Sequence, residues 1–320
     1  MALLRLGKAT YPCSLTRSQH CFSGTLFTPL FLDSLPSCHY SAATSHFGYR
    51  ALPRLAEKLT FAVFSRGCFV VVGNPGLAAS ITKDASTTKQ FKIFLSRYFY
   101  LCMSFALAGL VVWGFSHTVN ANLLHANPPR PLLLWVHGAV FSTWMVFFVA
   151  QSLLVRVRKV SIHRLLGWFG AGLATVMVVL GFTIAVVMTR FDTRVLQQKG
   201  VESFLSVPFT DMILFGSFMA LAIYWRKKPE YHRRLVFIAT CQLMDAAIGR
   251  FDFMFNHNLF YPALDVLVVL GMMRDWVVDG RVHKVYLYAL PSIIIVQGLS
   301  MYAWRINPAW WATITHAILT

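Results

Sequence analysis

The sequence predicts an all-α integral membrane bundle of seven transmembrane helices with the C-terminus outside. Three observations predict it. The 320 residues are 57% hydrophobic and only 13% charged, whereas ordinary globular domains are about 45–50% apolar and about 25% charged. From residue 91 onward the chain is a series of apolar blocks approaching or exceeding the roughly 20 residues that span a bilayer. Between those blocks, basic residues crowd into every second connection, as they do in loops kept on the cytoplasmic side. The formal charge of +17 is divided among these clusters and not gathered in one patch. The expected partner is therefore the lipid bilayer, with no nucleic acid.

Residues 1–88 stand apart. They are rich in Ser, Thr, Phe and Cys, with Asp33, Glu57 and Asp84 as their acids. Their best apolar run, "FAVFSRGCFVVVG" (61–73), is interrupted by Arg66 and too short to span. The expectation is a poorly ordered N-terminal segment, either a leader of the basic, acid-poor transit type or the product of an over-extended gene model. No methionine occurs between Met1 and Met103. The six cysteines (Cys13, Cys21, Cys38, Cys68, Cys102, Cys241) form no C-x-x-C pair and read as ordinary thiols.

The transmembrane domain is expected over 89–305, with apolar blocks at about 93–117, 131–155, 165–189, 207–225, 235–255, 259–273 (extendable to Val278) and 285–304. The connections "RVRKVSIHR" (156–164), "RKKPEYHRR" (226–234) and "RDWVVDGRVHK" (274–284) are basic, whereas "NANLLHANPPR" (120–130) has one arginine and "NHNLFYP" (256–262) none. Lys89, Lys92 and Arg97 precede the first block on the basic side. The first span therefore starts in the cytoplasm. Residues 306–320 are too short for an eighth span and form an outer interfacial tail, with Trp310 and Trp311 suited to the headgroup region. Small residues in "HGAVFS" (137–142), "GWFGAG" (167–172) and at Gly181 permit close helix packing.

The fifth block carries three charges in "MDAAIGRFDF" (244–253). Read as one continuous helix, it places Asp245 and Asp252 on one face and Arg250 about 140–160° away. By depth, His137, Asp211, Arg250, Asp252 and Asp265 from four spans share an outer slab, with Asp245 below them near the midplane. An unpaired charge at bilayer centre costs roughly 2.5–3.5 kcal/mol. Arg250 is therefore expected to be held by aspartates from neighbouring spans. This polar cluster reads either as an ion-pair lock or as a site for a proton, an ion or a small solute.

Three spans open alike at the basic level, with "IHRLLGW" (162–168), "YHRRLVF" (231–237) and "VHKVYLY" (282–288). His163, His232 and His283 are either interfacial companions of the basic loops or cofactor ligands. In the second case two of them would bind a b-type haem. A three-histidine zinc site is the weaker variant, because no carboxylate or serine is placed convincingly at that level. No phosphate loop, G-x-G-x-x-G, G-x-S-x-G or H-E-x-x-H occurs.

The runs "LLLWVHGAVFSTWMVFFVAQ", "VSIHRLLGW" and "YHRRLVFIAT" resemble a group of uncharacterised bacterial multi-pass membrane proteins. Those proteins carry an H-G-x-x-x-S-x-W helix, then H-R-x-L-G, then a second His-Arg/Lys-Arg-Leu start. The matching residues here are His137, Gly138, Ser142, Trp144, Gln151, His163, Arg164, Gly167, His232, Arg233 and Arg234. The resemblance covers the chain from about residue 91 and implies a multi-pass protein of a bacterial inner membrane. The chain is more loosely similar to cytochrome b561-type bundles, although only His137 lies well inside a span. Three functions are carried forward. The first is proton-linked or small-solute transport through the outer cluster, with Arg250 as anion anchor and Asp245 or His137 as proton carrier. The second is a haem-binding redox protein, and the third a non-catalytic membrane or assembly protein.

Overall fold

The computed structural model describes the backbone of residues 59–63, 69–73 and 75–320, and the side chains of residue 87 and of 89–320. The chain divides into two compact units, Met1–Ile81 and Thr82–Thr320. In the first, β1 (Leu59–Val63) and β2 (Phe69–Gly73) pair antiparallel, with Leu59 opposite Gly73. The two halves of the interrupted apolar run thus lie in paired strands, and α1 (Pro75–Ser116) begins thirteen residues before the expected boundary at 88. The rest of the expected leader lies outside the described residues.

The second unit is a helical bundle, consisting of the rest of α1 followed by α2 (Leu132–Arg156), α3 (Val160–Arg194), α4 (Ser206–Tyr224), α5 (Pro229–Gln242), α6 (Asp245–Ile248), α7 (Asp252–Asn256), α8 (Phe260–Asp279), α9 (Lys284–Ile306) and α10 (Ala309–Leu319). Five stretches are long and apolar enough to cross a membrane: Lys89–Ser116, Leu132–Arg156, Val160–Arg194, Glu202–Tyr224 and Lys284–Ile306. They establish a helical integral membrane protein. The remaining two expected spans are different in kind. The fifth is split among α5, α6 and α7, and α8 carries Asp265, Arg274, Asp275 and Asp279.

Of the five long apolar stretches the one containing α4 is the most buried, and its residues 207, 211, 214, 215, 218, 219 and 222 recur at three- and four-residue steps and face neighbours on several sides. It packs on α3, α5 and α9, while α8 closes against α5, α6 and α9. The two ends of the bundle are distinct. At one end the basic connections meet, since His163 packs on His232 and Tyr231 on His283. At the other, Arg130 pairs with Asp192 at 3.0 Å, and Arg190 and Arg194 donate to the carbonyls of Ile318 and Leu319. Those guanidiniums cap the C-terminal end of α10, where orphan carbonyls attract cations. Ala309–Leu319, within the expected tail, is thus a docked helix. Trp310 is exposed, whereas Trp311 is buried and donates through Nε1 to the Ser203 carbonyl at 3.0 Å.

Candidate functional site

The fifth apolar block breaks where its charges fall. After Gln242 the backbone bonds tighten to three-residue steps at Leu243 and Met244, and Phe251 is extended (φ −86°, ψ 114°) between α6 and α7. Non-helical backbone at membrane depth persists where protein or a polar cavity covers it. Here α1 supplies cover, because a Cβ on Gly114 would collide with the Ala247 carbonyl. Trp113 also packs edge-on against Phe251, with ring centroids 4.9 Å apart.

The break delivers Asp245 to the interior, where its carboxyl faces that of Asp211 on α4. Asp211 and Asp245 are only 7% and 8% exposed, and one oxygen of each (Oδ1) is buried without a hydrogen-bond partner. The Tyr261 hydroxyl lies close to Asp211 and pairs with Ser300 Oγ at 3.3 Å. The Ser300 carbonyl in turn accepts from Ser206 Oγ at 3.0 Å. Both acids line a cavity of about 230 Å³ whose wall also includes Arg250.

Among the described residues Arg250 forms no ion pair with an aspartate, where a continuous helix led to one being expected, although the Asp245 charge lies within its electrostatic reach. Its Nε donates to Thr118 Oγ1 at 3.0 Å, Nη1 donates to the Ala246 carbonyl, and the guanidinium lies 3.7 Å from the centroid of Phe115. The break at 249–251 turns the side chain towards the end of α1. Asp252 is also displaced. It opens α7, is exposed, and is no part of the cavity wall, so the shared face with Asp245 does not exist. Asp265 is half-buried and accepts from Gln297 Nε2 at 3.3 Å. His137 stacks on Phe141 and keeps a buried Nδ1 without a partner, within electrostatic reach of Arg250.

Of the three histidines at the basic end, two come together. The rings of His163 and His232 are 6.2 Å apart and edge-on. His232 Nδ1 is bonded to the Ala222 carbonyl at 2.9 Å, whereas His163 Nδ1 is buried and unpartnered. Gln151, from α2, donates to the His163 carbonyl and buries an unpartnered Oε1. His283 is separately engaged, its Nδ1 accepting from Val285 N–H at the start of α9.

Sequence reading missed the strongest ion cluster. Arg234, 1% exposed, grips fully buried Asp275 with two bonds, Nε to Oδ2 at 2.7 Å and Nη2 to Oδ1 at 2.8 Å. Arg234 Nη1 reaches Glu230 at 2.6 Å, and Arg274 reaches Asp275 and Asp279 at 2.9 and 3.1 Å. Arg233 joins through Glu230. Three guanidiniums thus meet three carboxylates. The available signal was the pairing of Arg234 with the two acids in "RDWVVDGRVHK". Glu230 is raised by partial burial, but the Arg234 hydrogen bond and the charges of Arg233, Arg234 and Arg274 outweigh this and hold it below the ordinary carboxylate value. His283 is lowered by burial and by the Arg234 charge, with Asp275 and Glu230 opposing only in part.

Among the described residues no group of three or more His, Cys, Asp or Glu side chains is placed to hold a metal ion. No protein-family model, curated protein or solved structure matches the chain.

Proposed function

We propose that this protein is a seven-crossing carrier in which the Asp211–Asp245 pair takes up and releases a proton in step with a small solute. The observation that carries the reading is the contrast between the two ionic clusters. At the basic end the charges balance and both oxygens of Asp275 accept from guanidiniums, which suits a lock between α5 and α8. At the other end two buried carboxyls face each other, each with an oxygen left without a donor, on the wall of a cavity. Two carboxylates in such a place repel, and sharing one proton or cation relieves them. Their position at a broken crossing is where carriers place ion and substrate sites.

In this reading α5–α7 form the fifth crossing and α8 the sixth, the basic connections face the cytoplasm, and the C-terminus lies outside. The resemblance carried by His137, Trp144, His163 and Gly167 supports the same topology and a bacterial inner membrane. The test uses protein reconstituted in vesicles loaded with a pH-sensitive dye. Asp245→Asn and Asp211→Asn should each abolish proton movement while leaving yield and thermal unfolding near those of the parent. Proton movement at the parental rate in both variants would sink the proposal.

A second reading rests on His163 and His232. An imidazole whose Nδ1 is tied to a backbone carbonyl presents Nε2 outward, the arrangement typical of a metal ligand. Two imidazoles from α3 and α5 at 6.2 Å are the residues that would hold a b-type haem, which supplies one-electron chemistry when bound. A reduced-minus-oxidised haem absorbance difference, lost in His232→Ala, is the result expected if this reading holds. Colourless protein from haem-replete cells would refute it.

A further inference from the structure

We infer that the cavity binds a small zwitterion: an ammonium and a carboxylate carried on one compact apolar body. The inference rests on the carrier reading and names its solute class. The wall offers two opposite charges. Asp211 and Asp245 contribute a net single negative charge when they share one proton, and Arg250 contributes a positive one. Both acids are more than nine-tenths buried, with an unpartnered oxygen each, so they require a donor. Arg250 spends Nε on Thr118 and Nη1 on the Ala246 carbonyl, leaving Nη2 without a partner among the described residues. The remaining wall is apolar: Phe204, Val207, Pro208, Phe255 and Phe260.

Charge complementarity then narrows the ligand. A plain amine would satisfy the carboxyls but meet the guanidinium as a like charge. A plain carboxylate would suit Arg250 but meet the acids as a like charge. Only a molecule carrying both groups satisfies both walls. The space is sufficient. A closed cavity of about 150 Å³ accommodates benzene, and this half-open pocket of about 230 Å³ has room for the two head groups together with a branched aliphatic side chain. Phe255 and Phe260 supply its apolar contact. An aliphatic amino acid has this chemistry.

The experiment uses the purified full chain in detergent and three matched probes: leucine, 3-methylbutylamine and 4-methylpentanoate. Isothermal titration should show leucine binding at least about tenfold more tightly than either truncated probe, the consequence of leaving one charged wall unpaired. Arg250→Gln should bring leucine down to the amine's affinity. Equal binding of the amine and leucine by the parent protein would overturn the inference in favour of a cation site, and equal binding of the carboxylate would overturn it in favour of an anion site. The comparison of probes on the parent protein stands even if Arg250→Gln fails to fold. Binding of none of the three, with proton movement intact in vesicles, would sink the zwitterion and spare the proton-carrying pair. Loss of both would sink the carrier reading itself.

Discussion

Asp275 shows what one residue does at the basic end. It is fully buried, and its two oxygens accept three bonds from Arg234 and Arg274. Removing one partner of a buried pair costs roughly 3–5 kcal/mol, because the other charge stays buried. Asp275→Asn should therefore lower the unfolding free energy by about that amount, read as an earlier chemical-denaturation midpoint in detergent. The same cluster predicts an acid limit. Glu230 sits below its ordinary value in the folded protein, so its contribution is present above the carboxylate range and is lost as pH falls through its folded value. His283 is also depressed. Below the ordinary histidine value of about 6.5 the unfolded chain binds a proton that the folded one resists, so stability falls there too. Both groups act in one direction, so the parent should lose more stability than Glu230→Gln or His283→Gln as pH is lowered from 7 towards 4. Identical pH profiles for the parent and both variants would contradict the assignment.

At the scale of elements, the decisive feature is the contact between α1 and α6. Gly114 lets α1 approach the Ala247 backbone so closely that a methyl group has no room. The same contact seats Arg250 against Phe115 and Thr118. Gly114→Ala should push α1 from α6, reduce thermal stability, and impair proton movement by disturbing the cavity wall. Gly138 is the control. An added Cβ there meets nothing within 4 Å, so Gly138→Ala should leave stability unchanged or raise it by up to about 1 kcal/mol through helix propensity. Equal behaviour of the two variants would remove the α1–α6 contact from the account. Little of this was legible beforehand. Gly249 and three charges inside an apolar stretch signalled an unusual segment, but helical geometry applied across the break assigned Asp245 and Asp252 one face. The extended Phe251 separates them.

For the whole molecule, alternating loop charge makes a topological prediction. Single cysteines introduced at His125 or His257 in a chain otherwise free of accessible cysteine should react with an impermeant thiol reagent from the outside. Cysteines at Arg158 or Lys227 should react only after the membrane is opened. Labelling of all four from one side would overturn the orientation. The bundle itself supports placing these positions at two ends. The starts of α3, α5 and α9 meet through His163, His232, Tyr231 and His283, whereas the 120–131 connection meets the last turn of α3 through Arg130 and Asp192.

The sequence by itself determined the helical membrane class. Long apolar blocks are stable only in lipid or a core, and helices satisfy every backbone polar group within one segment. It also singled out the residues worth watching, because a charge in an apolar run is costly wherever it lies. Which charges meet was decided only by tertiary packing. Arg234 finds Asp275 forty-one residues away, Asp245 faces Asp211 across two helices, and Arg250 turns to α1. Spacing along one helix fixes angle and depth. Partners across helices depend on crossing points, on breaks such as 243–251, and on how closely a glycine lets two backbones approach.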